Sequence, residues 1–576
     1  MTVLTGLDWG VIGVYFAALI GVVWWSSRKQ DTSADYFLAG RNIGWFAIGC
    51  SLFASNIGSE HIVGLAGSGV SSGMAMAHWE MHAWVMLLLG WVFVPFYYRA
   101  NVFTMPEFLE KRFNSKVRWI LSVVSLVAYV FTKVSVTVYA GALVFQVMLP
   151  EMQLTLFGHV WGPFWIGAFA TVILTGIYTI FGGMRAVLYT DTAQAMILLV
   201  GSFFITFFGL KALGGWGELQ AVCGERATEL ALWRPMVAAN ELPWWKNGDF
   251  PWLGIIIASP IIGIWYWCTD QYIVQRTLAA KNLTMARRGA IWGAFLKVWP
   301  VMIFLVPGLI GWALHQKGIM VIPAKMINGE TVAAIDGDQV FATMVMSLLP
   351  RGLRGLVVGG LLAALMSSLS SLFNSCASLF TVDIYEKIHP EASEKHLVTI
   401  GRVATTIIVL LGMAWIPVMH KVAGGGLYQY LQSVQGYLAP PITAVFLLGL
   451  FWKRINAQGA LWGLISGFVL GMLKLTIQAN FSTMDPTKAS NPALLAAIGD
   501  FNFLYASGAL FLISIAVVIG VSFLGKAQDE ASIKGLTYAS LDKKAVRGSI
   551  GMFDVILTVV TLALVLGMYL YFSFWL

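Results

Sequence analysis

Charge is scarce in this sequence: only 11% of its 576 residues are Asp, Glu, Lys or Arg. A soluble chain of that length divides into several domains with charged surfaces, so the scarcity argues against one. Cysteine is rarer still. Cys50, Cys268 and Cys376 fall inside apolar stretches and Cys223 stands alone in a polar connection, a distribution that implies neither a disulfide framework nor zinc. No HExxH, phosphate loop or nucleophile–base signature occurs, and no kinase-like domain is fused to the chain, which sets an enzyme or a dedicated signalling receptor aside. Low-complexity tracts and short-period repeats are missing too. The first apolar stretch, 11–25, has no basic segment before it and no small-residue cleavage site after it, so it is expected to be retained rather than removed as a signal peptide.

What abounds is apolar sequence: 58% of residues, with a mean hydropathy of +0.77. Apolar stretches of about 17 to 25 residues, the length of a helical crossing, recur from end to end. The fold class expected is an all-α integral membrane protein of about fourteen transmembrane helices, at 9–26, 43–66, 78–98, 117–149, 157–180, 190–212, 251–274, 289–315, 353–385, 397–420, 427–450, 457–478, 503–525 and 550–575. The net charge of +8 could suggest nucleic acid, but its distribution speaks for topology. Alternate connections are basic, carrying Arg28, Lys29 and Arg41, then Arg99, Lys111, Arg112 and Lys116, then Arg185, then Arg276, Lys281, Arg287 and Arg288, and on to Lys453, Arg454 and 526–549. About two dozen Lys and Arg fall on that side and about ten on the other, which marks it as cytoplasmic and leaves both termini outside. The long connections 213–250, 316–340 and 479–502 then lie outside, and the first should carry short structure of its own.

Within span 43–66 and just beyond it, FASNIGSEHIVGLAGSG (53–69) sets a polar, helix-weakening cluster in an apolar crossing. Lipid cannot satisfy freed backbone groups, so the sequence predicts either a kinked packing helix or a discontinuous one whose break binds solute and ion. Span 251–274 carries Ser259-Pro260 and Gly263, and a break is predicted there. Five spans separate the two positions, and an odd number inverts orientation, the mark of an inverted-repeat secondary transporter. The domains expected are a first span and loop (1–42), repeat one (43–212), an outer loop (213–250), repeat two (251–450) and three peripheral spans (451–576).

Glu80, Lys133 and Lys297 lie deep in spans, each at a cost of roughly 2.5–3.5 kcal/mol unless it faces protein or water. For Lys133 the plain reading is an internal ion pair. Glu80, between Trp79 and Trp84 in AHWEMHAW, suits a polyol, with aromatic faces for C–H edges and a carboxylate for hydroxyls; a packed structural carboxylate is the alternative. His78 and His82 read as interfacial residues. Trp265, Tyr266 and Trp267 follow the second break and suggest a stacking platform or gate rather than an interfacial belt. Ser367, Ser368, Ser370 and Ser371 form a hydroxyl patch that serves either helix packing or a desolvated monovalent cation. Ser367 and Ser368 would complete a cation shell with carbonyls from the break at Asn56.

These residues resemble the solute:sodium symporter family, specifically its sodium/glucose cotransporter branch, over nearly the whole chain. The resemblance rests on DYFLAGRNIGWFAIGCSLFASNIGSEHIVGLAGSG from Asp35, GGMRAVLYTDTAQ from Gly182, WYWCTDQYIVQRTLAAKN from Trp265, the serine helix ending FTVDIY at Tyr385, and LQSVQGYLAPPITAVFLLGLFWKR from Leu431. It implies a five-plus-five inverted-repeat core and sodium-driven uptake of a monosaccharide by alternating access. It further implies a sodium site from the carbonyls of Ala54, Ile57 and Ala364 with the hydroxyls of Ser367 and Ser368. The sugar site would comprise His61, Glu80, Trp267, Lys297 and Gln432, with Tyr266 closing its inner side and Asn56 as its partner. Leu65, Trp79 and Tyr428 occupy outer-gate positions, and Asp191 and Ser370 match positions linked in some members to a second sodium. Gly263 replaces a polar residue that touches sugar in some members, and Glu60 stands where many carry glycine. The partners expected are a small sugar, sodium and the lipid bilayer, with a monomer as functional unit in a cell membrane, of the bacterial inner type rather than an organelle. A sodium symporter for myo-inositol or another polar solute, and a sugar-gated sensor or channel, remain the alternatives.

Overall fold

A computed structural model describes the chain except residues 1–3, 28–29, 157, 238–241, 247–249, 328–329, 423–426, 483–491 and 542; the side chains at 59–60, 326–327, 330–334, 418–422, 427–431, 543 and 545 also fall outside the description. The described chain is almost wholly helical, with two small antiparallel hairpins, Leu154–Leu156 with His159–Trp161 and Ala324–Ile327 with Glu330–Ile335. Helix starts follow local chemistry. Asn114, Asn282 and Asn456 each turn a side-chain oxygen to a backbone N–H in the first turn, of Val117, Met285 and Gly459, and so satisfy a donor that the helix cannot.

Twelve helices among the described residues are long and apolar enough to cross a membrane, against the fourteen expected, and the difference falls at two places. The span expected at 43–66 is divided into Trp45–Asn56 and Ser59–Ser72. The spans expected at 157–180 and 190–212 run together as Pro163–Leu213, 51 residues, or about 75 Å at 1.5 Å per residue, more than twice a bilayer core. That long helix is interrupted at Gly183, whose φ of +56° favours glycine; a Cβ there would stand 2.8 Å from the Tyr36 carbonyl oxygen. Large apolar side chains such as Val14, Trp24, Val559 and Leu566 are exposed along outer helices, as a lipid-facing surface requires and a watery one does not tolerate. The protein is a multi-pass membrane protein.

The second break is not where the sequence predicts. Trp252–Ile264 passes through Pro260 and Gly263 as helix, widens into a π-turn at Trp265–Thr269, and stops at Asp270, which has an extended ψ of 127° before Gln271–Leu278 begins. A proline removes one N–H but need not end a buried helix whose neighbours take up the slack. The connection 213–250 does carry short helices, Trp216–Gly224 and Ala227–Leu230. All four cysteines are free and buried.

Candidate functional site: a polar cavity at the helix interruptions

At the first break the backbone leaves the helix at Ile57 (φ −84°, ψ 76°) and Gly58 (φ −87°, ψ −175°). The Gly58 N–H that a continuous helix would give to Ala54 bonds the Asn56 carbonyl at 3.0 Å, and the His61 N–H that Ile57 would receive bonds the Gly58 carbonyl at 3.1 Å. The carbonyls of Ala54 and Ile57 are thereby released from their helical partners at a fully buried position.

Two further interruptions face this one. Helix Ala77–Glu80 ends in a turn at 81–82 before Ala83–Leu88, and Leu283–Leu296 ends at Lys297, with a turn running to Pro300, which has no N–H to continue the ladder. His61, Glu80 and Lys297 each sit at or within a turn of such a place. Lys297 donates to Asn56 Oδ1 at 2.6 Å and to the Glu80 carboxylate. His61 Nε2 lies 3.8 Å from the other Glu80 oxygen and 3.3 Å from the Asn56 amide nitrogen, which also donates to the Tyr266 hydroxyl at 3.1 Å. The Lys297 ammonium stands 5.6 Å from the centre of the Trp267 ring, within cation–π range. Glu80, Lys297 and Trp267 are all but fully buried, so the Glu80–Lys297 pair needs the bonds that each member makes.

These groups line one narrow cavity, with about 40 Å³ of free space, in the middle of the bundle, the kind of concave site, aromatic with a few placed polar groups, that small ligands use. All seven residues predicted to bind substrate, Asn56, His61, Glu80, Tyr266, Trp267, Lys297 and Gln432, are in its wall. Among the gate residues, Trp79 lines it and donates its indole N–H to Gln432, whereas Leu65 is buried outside the lining and the side chain of Tyr428 lies outside the described residues, as does that of Glu60. Trp265 is buried beside Tyr266 but does not line the cavity. His78 and His82 are not interfacial: both are buried, His82 in the cavity wall and His78 against Trp233 and Tyr569. A histidine at a turn inside the bundle can be satisfied there, as His82 is by Ser259 at 2.7 Å.

Lys133 also lines the cavity and pairs with Asp270 at 2.5 Å, the ion pair that the sequence suggested. Its ammonium lies 4.7–5.2 Å from the rings of Tyr129, Trp265, Tyr266 and Tyr272. The lysine thus ties the aromatic cluster to the second break.

Behind the first break stands the serine helix, Leu353–Ser378. Ser368 donates to the Ser55 carbonyl at 3.4 Å, and Ala364 is fully buried. Ser367 turns instead to Asp191, which accepts from Ser51 at 2.5 Å and Ser55 at 3.2 Å. Ser370 bonds back to the Ser367 carbonyl at 2.9 Å rather than to Asp191. Arg276, counted in the sequence among the charges of a cytoplasmic loop, is buried in this cluster: it bonds Ser51 at 3.0 Å and Ser371, and comes within 4.0 Å of Asp191. Arg287 and Arg112 are likewise buried. Sequence reading missed Arg276 because a loop charge and a folded-back one look the same until the partner carboxylate, 85 residues away in sequence, is placed.

A model of the sodium:solute symporter family matches residues 36–467. The chain is 39% identical to sodium/glucose cotransporter 1 of Oryctolagus cuniculus over 561 residues, covering 94% of this chain and 82% of that protein. It is 38% identical to sodium/myo-inositol cotransporter 2 of Homo sapiens over 547 residues, covering 92% and 78%. A solved structure of a Na+-coupled sialic acid symporter in a substrate-bound outward-open state superposes with a TM-score of 0.73 at 20% identity, covering 91% of this chain and 99% of that one.

Proposed function

The chain belongs to the sodium:solute symporter family, and from that premise we propose that it carries a monosaccharide of the glucose or galactose type into the cell together with sodium. It is a transporter and not an enzyme, and sodium is the co-transported ion. The observation that carries the sugar reading is the cavity wall itself. A carboxylate, two ammoniums, three amides and two imidazoles converge beside two indoles and two phenols, which offers hydrogen bonds for several hydroxyls and flat faces for the C–H side of a pyranose.

In this reading sodium binds the freed carbonyls of Ala54 and Ile57, the carbonyl of Ala364, and the hydroxyls of Ser367 and Ser368. The existing contact between Ser368 and Ser55 supports it, since the serine helix already lies against the break. Asp191 and Ser370 mark a second cation position beside it. Sodium then draws break and serine helix together, and Asn56, at the end of the broken helix, carries that movement to Lys297 and through it to Glu80. Coupling requires this: without a difference in affinity between states, sodium moves no equilibrium. A potential of 100 mV supplies about 2.3 kcal/mol per charge and a tenfold gradient about 1.4. One sodium therefore supports accumulation on the order of 500-fold, and two would square it.

Residues 43–212 and 251–450 form the two inverted repeats in this proposal, flanked by the remaining helices. The basic connections face the cytoplasm, both termini face outside, and one chain is the working unit, in a cell membrane. A polyol such as myo-inositol is the second reading, favoured by the near-equal identity to a protein named for it. Sodium-dependent uptake of radiolabelled glucose into proteoliposomes, with galactose, mannose and myo-inositol as unlabelled competitors, separates the two. Competition by galactose supports the sugar reading. Competition by myo-inositol alone replaces it, and sugar-evoked current without uptake overturns both.

A further inference from the structure

His82 occupies a position that nothing in the sodium or sugar chemistry described so far requires. It follows the short helix that ends at Glu80, in the turn that interrupts a membrane crossing. Its imidazole is 3% exposed, lines the cavity, and lies at 31° to the Trp79 ring with centroids 6.2 Å apart. Across from it is Gly263. A Cβ at that residue would meet the imidazole Cε1 at 3.0 Å and both ring nitrogens at 3.2 Å, tighter than nearly all real contacts. Glycine is what allows the ring to lie against the helix Trp252–Ile264, and Ser259, one turn earlier on the same helix, holds Nε2 through its hydroxyl at 2.7 Å. Helix, glycine and serine together build a seat for an imidazole, and the seat opens on the cavity.

We propose that His82 is a specificity-determining residue of the solute site: with Nε2 held by Ser259, it presents Nδ1 to one hydroxyl of the bound sugar. An imidazole carries two hydrogen-bonding nitrogens, and Ser259 engages the one. A buried nitrogen built to meet a hydroxyl discriminates strongly against an analogue without it, because the protein group is then left unpaired. The fixed seat decides which hydroxyl is read. The assignment rests on the sugar reading above.

The test uses the full-length protein in proteoliposomes and measures initial rates of sodium-driven uptake for glucose and the series of its singly deoxygenated analogues. Wild type, His82→Ala and His82→Asn are compared, with Gly263→Ala as a second way to shift the ring should His82→Ala fold poorly. In the wild type one analogue is expected to lose at least about tenfold in kcat/KM. In His82→Ala glucose falls to the level of that analogue while the ratios for the other analogues stay put, the sodium concentration for half-maximal rate does not move, and His82→Asn regains part of the discrimination. Gly263→Ala narrows the same ratio and no other. If every analogue keeps its wild-type ratio in His82→Ala and Gly263→Ala, or if only the sodium requirement changes, His82 is a packing group and the assignment is wrong. If wild-type protein accumulates none of the sugars, the sugar reading fails, and the His82 assignment fails with it.

Discussion

Lys297 donates to the side-chain oxygen of Asn56 at 2.6 Å across 241 residues of sequence, and that bond joins two helix interruptions. Through the same ammonium Glu80 is held at a third. The break that frees the carbonyls of Ala54 and Ile57 is therefore joined to the carboxylate in the cavity wall through a single residue, Lys297.

Lys297→Met is expected to leave the Glu80 carboxylate buried without its cation, at a cost of about 3–5 kcal/mol. A large drop in melting temperature and no uptake should follow. The double variant with Glu80→Gln should recover most of the melting temperature and none of the transport. Thermal unfolding in detergent beside uptake in proteoliposomes checks both halves; recovery of transport in the double variant would contradict the solute-binding role.

Ser368→Ala removes a hydroxyl from the proposed cation shell and leaves the carbonyls in place. The sodium concentration for half-maximal uptake should rise by about tenfold, equivalent to about 1.4 kcal/mol, with the maximal rate at saturating sodium largely kept. Sodium titration of initial rates reads it. An unchanged sodium requirement would remove Ser368 from the shell.

Gly183→Ala forces a side chain onto a left-handed residue and against the Tyr36 carbonyl. A loss of at least about 1–2 kcal/mol is expected, seen as a lower melting temperature, whereas Gly567→Ala, with open space around it, should change stability little.

Asp338, in the turn Gly337–Gln339, stands above Gly67 on the first broken helix. Burial, and then the Asp336 carboxylate, push its acid up to about 6 from an ordinary 3.8, while Lys325 pulls the other way. Between about pH 4 and pH 6 the folded chain keeps a proton that the unfolded chain has released, so this group lowers stability as pH rises through that window and has no further effect above it. Asp338→Asn should flatten that part of the stability–pH curve and raise the melting temperature at neutral pH. Melting temperatures from pH 4 to 8 check it; parallel curves for the two proteins would rule the assignment out.

Much of this was legible in the sequence because a membrane punishes polar groups without purpose. Asn56, His61, Glu80 and Lys297 stand out for that reason alone, and the structure gathers them with Tyr266, Trp267 and Gln432 around one cavity. The first break was legible too, since Asn56, Gly58 and Ser59 interrupt an apolar run. The second was misplaced: Pro260 signals a missing N–H, but the chain absorbs it and breaks at Asp270, where the Lys133 ion pair and the Tyr129 hydroxyl make an extended residue affordable. Arg276 and His82 were misread because hydropathy ranks a residue by type, whereas their burial is decided by partners (Asp191, Ser51 and Ser259) on helices distant in sequence.

The most direct measurement is the steady-state ratio of internal to external glucose in proteoliposomes given an inward sodium gradient and an inside-negative potential. The ratio is expected to rise far above one, up to the order of 500-fold for one sodium under a tenfold gradient and 100 mV, and to collapse when both are dissipated. A ratio that stays at one while glucose still enters would contradict sodium coupling.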